Sequence, residues 1–143
     1  MRFEATQGIE AVKATKLKEA KSRYQSICSG TDPTTNKSIY VDCIVGETTY
    51  RMNAGRKASE TLFFALQKAQ LKGAEQYFLV DVYDDLHAGV PIADCLAVNV
   101  AQGDDAETHY LQYQMMKKAI GEANNAAEVR AVPLTFDVKV LPG

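Results

Sequence analysis

Residues Ile39–Asn53, IYVDCIVGETTYRMN, decide the fold. Ile39, Val41, Cys43 and Val45 alternate with Tyr40, Asp42 and Ile44, the period-two signature of a strand with one buried face. Gly46-Glu47 reads as a tight turn, and Thr48 to Asn53 is β-branched and aromatic enough to pair back as a second strand. After Gly55 the period becomes helical. Ala58, Leu62, Ala65, Leu66 and Ala69 form one stripe, and Gly73 supplies a C-terminal stop. Residues 38–73 therefore form a ββα unit.

Downstream, residues 75–122 are expected to repeat that order. Gln76 to Tyr83 reads as a long apolar strand, and Asp84 to Pro91 as a turn region. Leu96, Val98 and Val100, alternating with Ala97, Asn99 and Ala101, predict a further strand. A helix is then expected to open at Gly103-Asp104, with Asp104 as cap and Glu107 completing a capping box. Tyr110, Tyr113, Met116 and Ile120 make its main stripe, and Gly121 with Asn124-Asn125 ends it. A shift of 48 residues places Gly55 on Gly103, Ala58 on Ala106 and Gly73 on Gly121. Glycines at helix ends recur for conformational reasons of their own, so the match does not establish a duplication.

The flanks complete the reading. Over 129–141, Val132, Leu134, Phe136, Val138 and Val140 alternate as a last strand, with Pro133 pointing to an edge or a bulge. Over 8–28, Ile9, Val12, Leu17, Ala20, Tyr24 and Ile27 fall near one side of a helix, and the turn formers of Ser29–Asn36 make a loop. The expected fold is α+β: a single domain over 1–143, an N-terminal helix and then ββα-ββα-β. Its mixed or antiparallel sheet of about five strands would carry helices on one face.

Composition excludes several classes. With 46% hydrophobic and 24% charged residues the chain is neither disordered nor a disulfide-dense mini-fold. A formal charge of −2 gives no global reason to bind nucleic acid or an anionic membrane. Apolar runs such as Tyr77–Val80 and Leu96–Val98 are far short of the ~20 residues that span a bilayer, so no membrane association is expected. The opening Met1-Arg2-Phe3-Glu4 has no apolar secretory core, which favours a cytoplasmic protein or part of an assembled particle. Cys28, Cys43 and Cys95 form no CxxC pair and read as small buried hydrophobes in a reducing compartment.

Chemistry has two places to reside. Arg51, Asn53, Gly55, Arg56, Lys57 and Ser59 run from a strand end into a helix start, where free N–H groups and added cations suit an anionic small molecule or a nucleic-acid phosphate. The GxxxxGK[ST] spacing of a P-loop is missing, and no motif calls for a cofactor. Asp81, Asp84 and Asp85 with His87 gather at a strand end, where carboxylates can hold Mg²⁺ or Mn²⁺ for phosphodiester cleavage, and Asp137 with Lys139 adds a further carboxylate and a cation. The competing reading of these acids is that they cap local backbone N–H groups in a turn. His109 lies on the inner stripe of a helix, where a structural role is expected, and no serine or cysteine occupies a GxSxG elbow. The first helix is locally basic through Lys13, Lys16, Lys18, Lys21 and Arg23, which reads as a solvated face.

Phe64 with Leu71, and Leu111 with Met115, face away from the stripes that should meet the sheet. Something must cover them. The N-terminal helix could cover one pair and a second copy of the chain the other, which makes a non-enzymatic homo-oligomeric or structural protein, of the kind found in phage-type assemblies, the leading expectation. An anion-binding module and a metal-dependent nuclease rank behind it.

Overall fold

The structure, a computed structural model, describes residues 2–142, with side chains from Gly8 onward. The side chains of Met1-Arg2-Phe3-Glu4 lie outside the described residues. The elements are α1 (Arg2–Cys28), β1 (Ile39–Val45), β2 (Thr48–Asn53), α2 (Arg56–Leu71), β3 (Gln76–Val80), β4 (Leu86–Pro91), α3 (Ile92–Glu122), α4 (Ala126–Ala131) and β5 (Lys139–Val140). The class is α+β. The strands are antiparallel, but they form two small sheets, ordered β2-β1-β5 and β3-β4, rather than one sheet of five. The chain divides into two compact units, one comprising residues 26–108 and 138–143, the other residues 1–25 and 109–137.

In the first unit the β1–β2 hairpin forms as its sequence predicts. Val45 pairs with Thr48 across a two-residue Gly46-Glu47 loop, with Gly46 at φ 61°. Cys43 and Met52 point inward and pack with Leu66 of α2, Leu79 and Val90 of the β3–β4 hairpin, and Cys95 and Val98 of α3. The C-terminal stop of α2 is also as expected. Gly73 takes φ 73°, its N–H donates to Gln70 O and that of Ala74 to Ala69 O, closing the helix in a Schellman turn.

Three expectations are corrected. Residues 86–91, expected to be a turn, form β4; Pro91 sits at the strand's end, and Gly89 at φ 67° lies in a bulge opposite β3. Residues 96–101, expected to be a strand, are helical, and α3 begins at Ile92 instead of Asp104. Burial explains this. Cys95, Val98, Asn99 and Gln102 are buried while Val100 is exposed, which is the spacing of a helix face, and β-propensity yields to that packing. Gly103 therefore lies inside a helix while Gly55 precedes one, so the 48-residue shift aligns unlike positions. The expected strand over 129–141 shrinks to Lys139–Val140, which pairs with Tyr40 and Ile39 of β1.

In the second unit, Val129 belongs instead to α4, capped by Asn125 Oδ1 accepting from Glu128 N and by Glu128 Oε2 accepting from Asn124 N. Alternation of Val132, Leu134 and Phe136 reports burial without a ladder: the segment packs beside Ala20, Met116, Ile120 and Val129. Tyr24 stacks on Tyr113 with ring centroids 4.5 Å apart. The basic face of α1 is partly structural. Lys13 Nζ donates to Gly121 O at 2.9 Å and Lys16 Nζ to Arg130 O at 3.0 Å, so both cations sit on carbonyls at helix C-termini.

Of the described glycines, Gly55 has the least room for a side chain. It takes φ 102°, and a Cβ there would lie 2.5 Å from Ile27 O and 3.0 Å from Cys28 O. Gly73 has a positive φ as well but open space around it. Gly55→Ala is expected to lower stability by about 3 kcal/mol, against about 1 kcal/mol for Gly73→Ala, as read from urea unfolding midpoints.

Candidate functional site

The strand–helix junction is built by β2, α2 and the middle of α3. The carbonyl of Asn53 accepts from Gln102 Nε2 at 3.1 Å, that of Ser59 accepts from Asn99 Nδ2 at 2.9 Å, and Gln102 Oε1 accepts from the same Asn99 amide at 3.4 Å. Both amide side chains are buried, so the junction is pinned from beneath.

The structure separates the six expected anion-site residues. Arg51 is engaged on the hairpin surface: its Nε lies 2.9 Å from Asp42 Oδ1, its Nη2 3.3 Å from Asp42 Oδ2 and its Nη1 3.0 Å from Tyr83 Oη, with the guanidinium 4.2 Å from the centre of the Tyr40 ring. The Arg51 hydrogen bond holds the Asp42 carboxyl below its ordinary range, with burial opposing. Arg56 pairs with Glu60 at 2.7 Å along the helix. Gly55 serves the turn, and Ser59 contributes its carbonyl to Asn99. Asn53 and Lys57 remain, and they line a groove of about 590 Å³ between α2 and β3. Three cations thus do not converge on the helix start.

The acidic cluster is a folded loop. Asp81 Oδ1 accepts from Tyr83 N at 2.8 Å and from Asp85 N at 3.1 Å, and Oδ2 lies 2.8 Å from His87 Nε2. Asp81 N donates to Asp85 O and Asp84 N to Asp81 O, which closes the β3–β4 connection with Asp84 at φ 64°. The His87 hydrogen bond, aided by the two backbone donors, holds the Asp81 carboxyl below its usual range against the effect of burial. Among the described residues no group of three or more His, Cys, Asp or Glu side chains is placed to hold a metal ion. His109 is buried and its Nε2 donates to Asp137 O at 2.9 Å, while Gln112 Nε2 donates to the Asp137 carboxylate.

The two buried thiols, Cys43 and Cys95, are poorly placed to act as nucleophiles. Burial pushes Cys43 up to about 12, helped by the charges of Asp105 and Asp42, and burial with Asp94 also raises Cys95. The four expected interface side chains stand in solvent: Phe64 is 63% exposed, Leu71 88%, Leu111 58% and Met115 62%. Sequence reasoning missed Asn99 and Gln102, whose three-residue spacing becomes a signal once residues 96–101 are read as helix. Compared with known proteins, the chain matches no family model, no curated sequence and no solved structure.

Two measurements follow from this geometry. The Asp81 carboxyl is lowered on folding, so its stabilisation is complete above the unfolded value of ~4 and is lost as pH falls through the lower folded value. Asp81→Ala is expected to cost about 2 kcal/mol at pH 7 and markedly less at pH 2.5, measured by urea unfolding of both proteins at each pH. Iodoacetamide at pH 8 is expected to label the half-buried Cys28 alone in the native protein and all three cysteines after denaturation, as read by intact mass.

Proposed function

We propose that the protein is a non-enzymatic interaction module that self-associates through an outer helix face. The observation that carries this reading is the exposure of Phe64 and Leu71, seven residues apart and so on one side of α2. Phe63, also exposed, meets Phe64 edge-on with ring centroids 5.7 Å apart, which extends the apolar surface. Water-facing aromatic and aliphatic groups of this size, grouped on one helix, mark contact surfaces. A twofold contact would bury the pair from each copy, four side chains contributing roughly 1.5–3 kcal/mol each. That gain is of the same size as the about 4–15 kcal/mol that association costs, so the pair alone gives a weak contact and Phe63 with the surrounding surface must add to it. Leu111 and Met115, four residues apart on α3, offer a second face of the same kind through which larger assemblies could grow.

The acidic loop supports no catalytic reading, because both oxygens of Asp81 are occupied within the hairpin connection. A nucleotide-phosphate site is supported less than the sequence suggested, because Arg51 and Arg56 are committed to Asp42 and Glu60.

Light scattering up to roughly 1 mM, the range in which weak self-association shows, is expected to give a mass rising with concentration above the 15.7 kDa of one chain. Phe64→Ser with Leu71→Ser should return the protein to 15.7 kDa with an unchanged circular dichroism spectrum. A monomer throughout for the unaltered protein removes the proposal.

A further inference from the structure

The groove between α2 and β3 has properties that self-association through the outer face of α2 does not use. β3 contributes Tyr77, Phe78, Leu79 and Val80 to its wall, four residues in a row. Side chains of a strand alternate between faces, so a groove that met one face would be lined by every second residue. Four consecutive residues mean that the backbone edge of β3 forms the wall. That strand belongs to a two-stranded sheet and pairs with β4 by its other edge, so among the described residues the groove-side edge has no strand beside it. Just beyond it, Val82 N donates to Arg51 O at 2.9 Å, which ties the chain after β3 to β2 and closes that end.

The opposite wall is α2, which presents the small side chains of Ala58, Thr61 and Ala65 and leaves the trough open. Phe78 and Val80 are exposed on the outer side of the edge, where a neighbouring strand would place its own side chains against them. Charge gives the trough a polarity. Of the side chains that line it, Lys57 alone is charged, and it forms no ion pair among the described residues, whereas Arg51 and Arg56 nearby are neutralised by Asp42 and Glu60.

We infer that this groove is a docking site for an extended segment of a partner protein, which adds as a strand to the free edge of β3 and places one acidic side chain against Lys57. Main-chain hydrogen bonds to β3 supply affinity that is independent of sequence. Alternate β-branched or aromatic side chains packed on Phe78 and Val80, and the carboxylate at Lys57, supply the selection. The four edge residues span about 13 Å, so the recognised segment is four to five residues long.

A phage-displayed library of random linear dodecapeptides, panned on the unaltered protein, is the probe. The expected result is a consensus with one Asp or Glu beside alternating Val, Ile, Thr or aromatic residues. A synthetic peptide of that consensus should bind with a micromolar dissociation constant by calorimetry and should slow amide exchange at Phe78 and Val80. Lys57→Glu should weaken it at least tenfold, and a Lys-for-acid version of the peptide should recover binding to that variant. Thr61→Trp, at a solvent-facing position of α2, should abolish binding while leaving the unfolding midpoint unchanged. No enriched sequence, a consensus lacking an acid, or binding indifferent to both variants overturns the inference. So does competition between the consensus peptide and self-association of the unaltered protein, which would make a second copy the occupant.

Discussion

Two buried amide side chains of α3, Gln102 and Asn99, donate to the backbone carbonyls of Asn53 at the end of β2 and Ser59 at the start of α2, and so tie the strand–helix junction to α3. Leaving either buried amide without its partner would cost about 1–3 kcal/mol, a large share of a small domain's net stability. Meeting both carbonyls at once requires two amide side chains three residues apart on one side of a single element. A strand would send Asn99 and Gln102 to opposite faces; a helix puts them on the same one. This need, together with the burial of Cys95 and Val98 on the same face, makes 92–108 helical despite its valines. The tight turn at Gly55, pressed against the carbonyls of Ile27 and Cys28, follows from the same arrangement, since it brings the junction within reach of α3.

The charged groups show how local pairing changes the meaning of a basic cluster. Arg51, Arg56 and Lys57 lie within seven residues, but strand pleat and helix phase send them to different neighbours. Arg51 meets its cross-strand partner Asp42, Arg56 meets Glu60 one turn along, and Lys57 alone faces the groove. The acidic loop behaves in the same way. Asp81 spends its charge on two backbone donors and His87, so a group that resembles a metal-ligand set serves to fold the connection between two strands. In the helical unit, Lys13 and Lys16 are drawn to carbonyl groups at helix ends, which converts part of a solvated face into tertiary contacts.

Much of the fold was legible in the sequence because it depends on short-range rules. The alternation of Ile39 to Val45, the Gly46-Glu47 turn, the stripe of α2 and the left-handed stop at Gly73 each need only a few adjacent residues, and each formed where expected. The outward direction of Phe64, Leu71, Leu111 and Met115 was likewise set by helix phase alone. The candidate site was legible only in part. Asn53 and Lys57 do line a groove, but the partners that removed Arg51 and Arg56 from it depend on register and on a tyrosine from a distant loop.

What the sequence by itself determined is therefore the class of the fold, its first hairpin and following helix, and which helix faces are left apolar and outward. The tertiary structure decided the rest. It made Leu86–Pro91 a strand because Gln76–Val80 lay beside it, and it made 96–101 a helix because Cys95, Val98, Asn99 and Gln102 are buried together at helical spacing. It left Val132–Phe136 extended without a ladder and divided five strands between two sheets. The physical reason is the same in each case. Periodicity records which side chains are buried, whereas the backbone's hydrogen-bond partners are chosen by whatever the rest of the chain brings within reach.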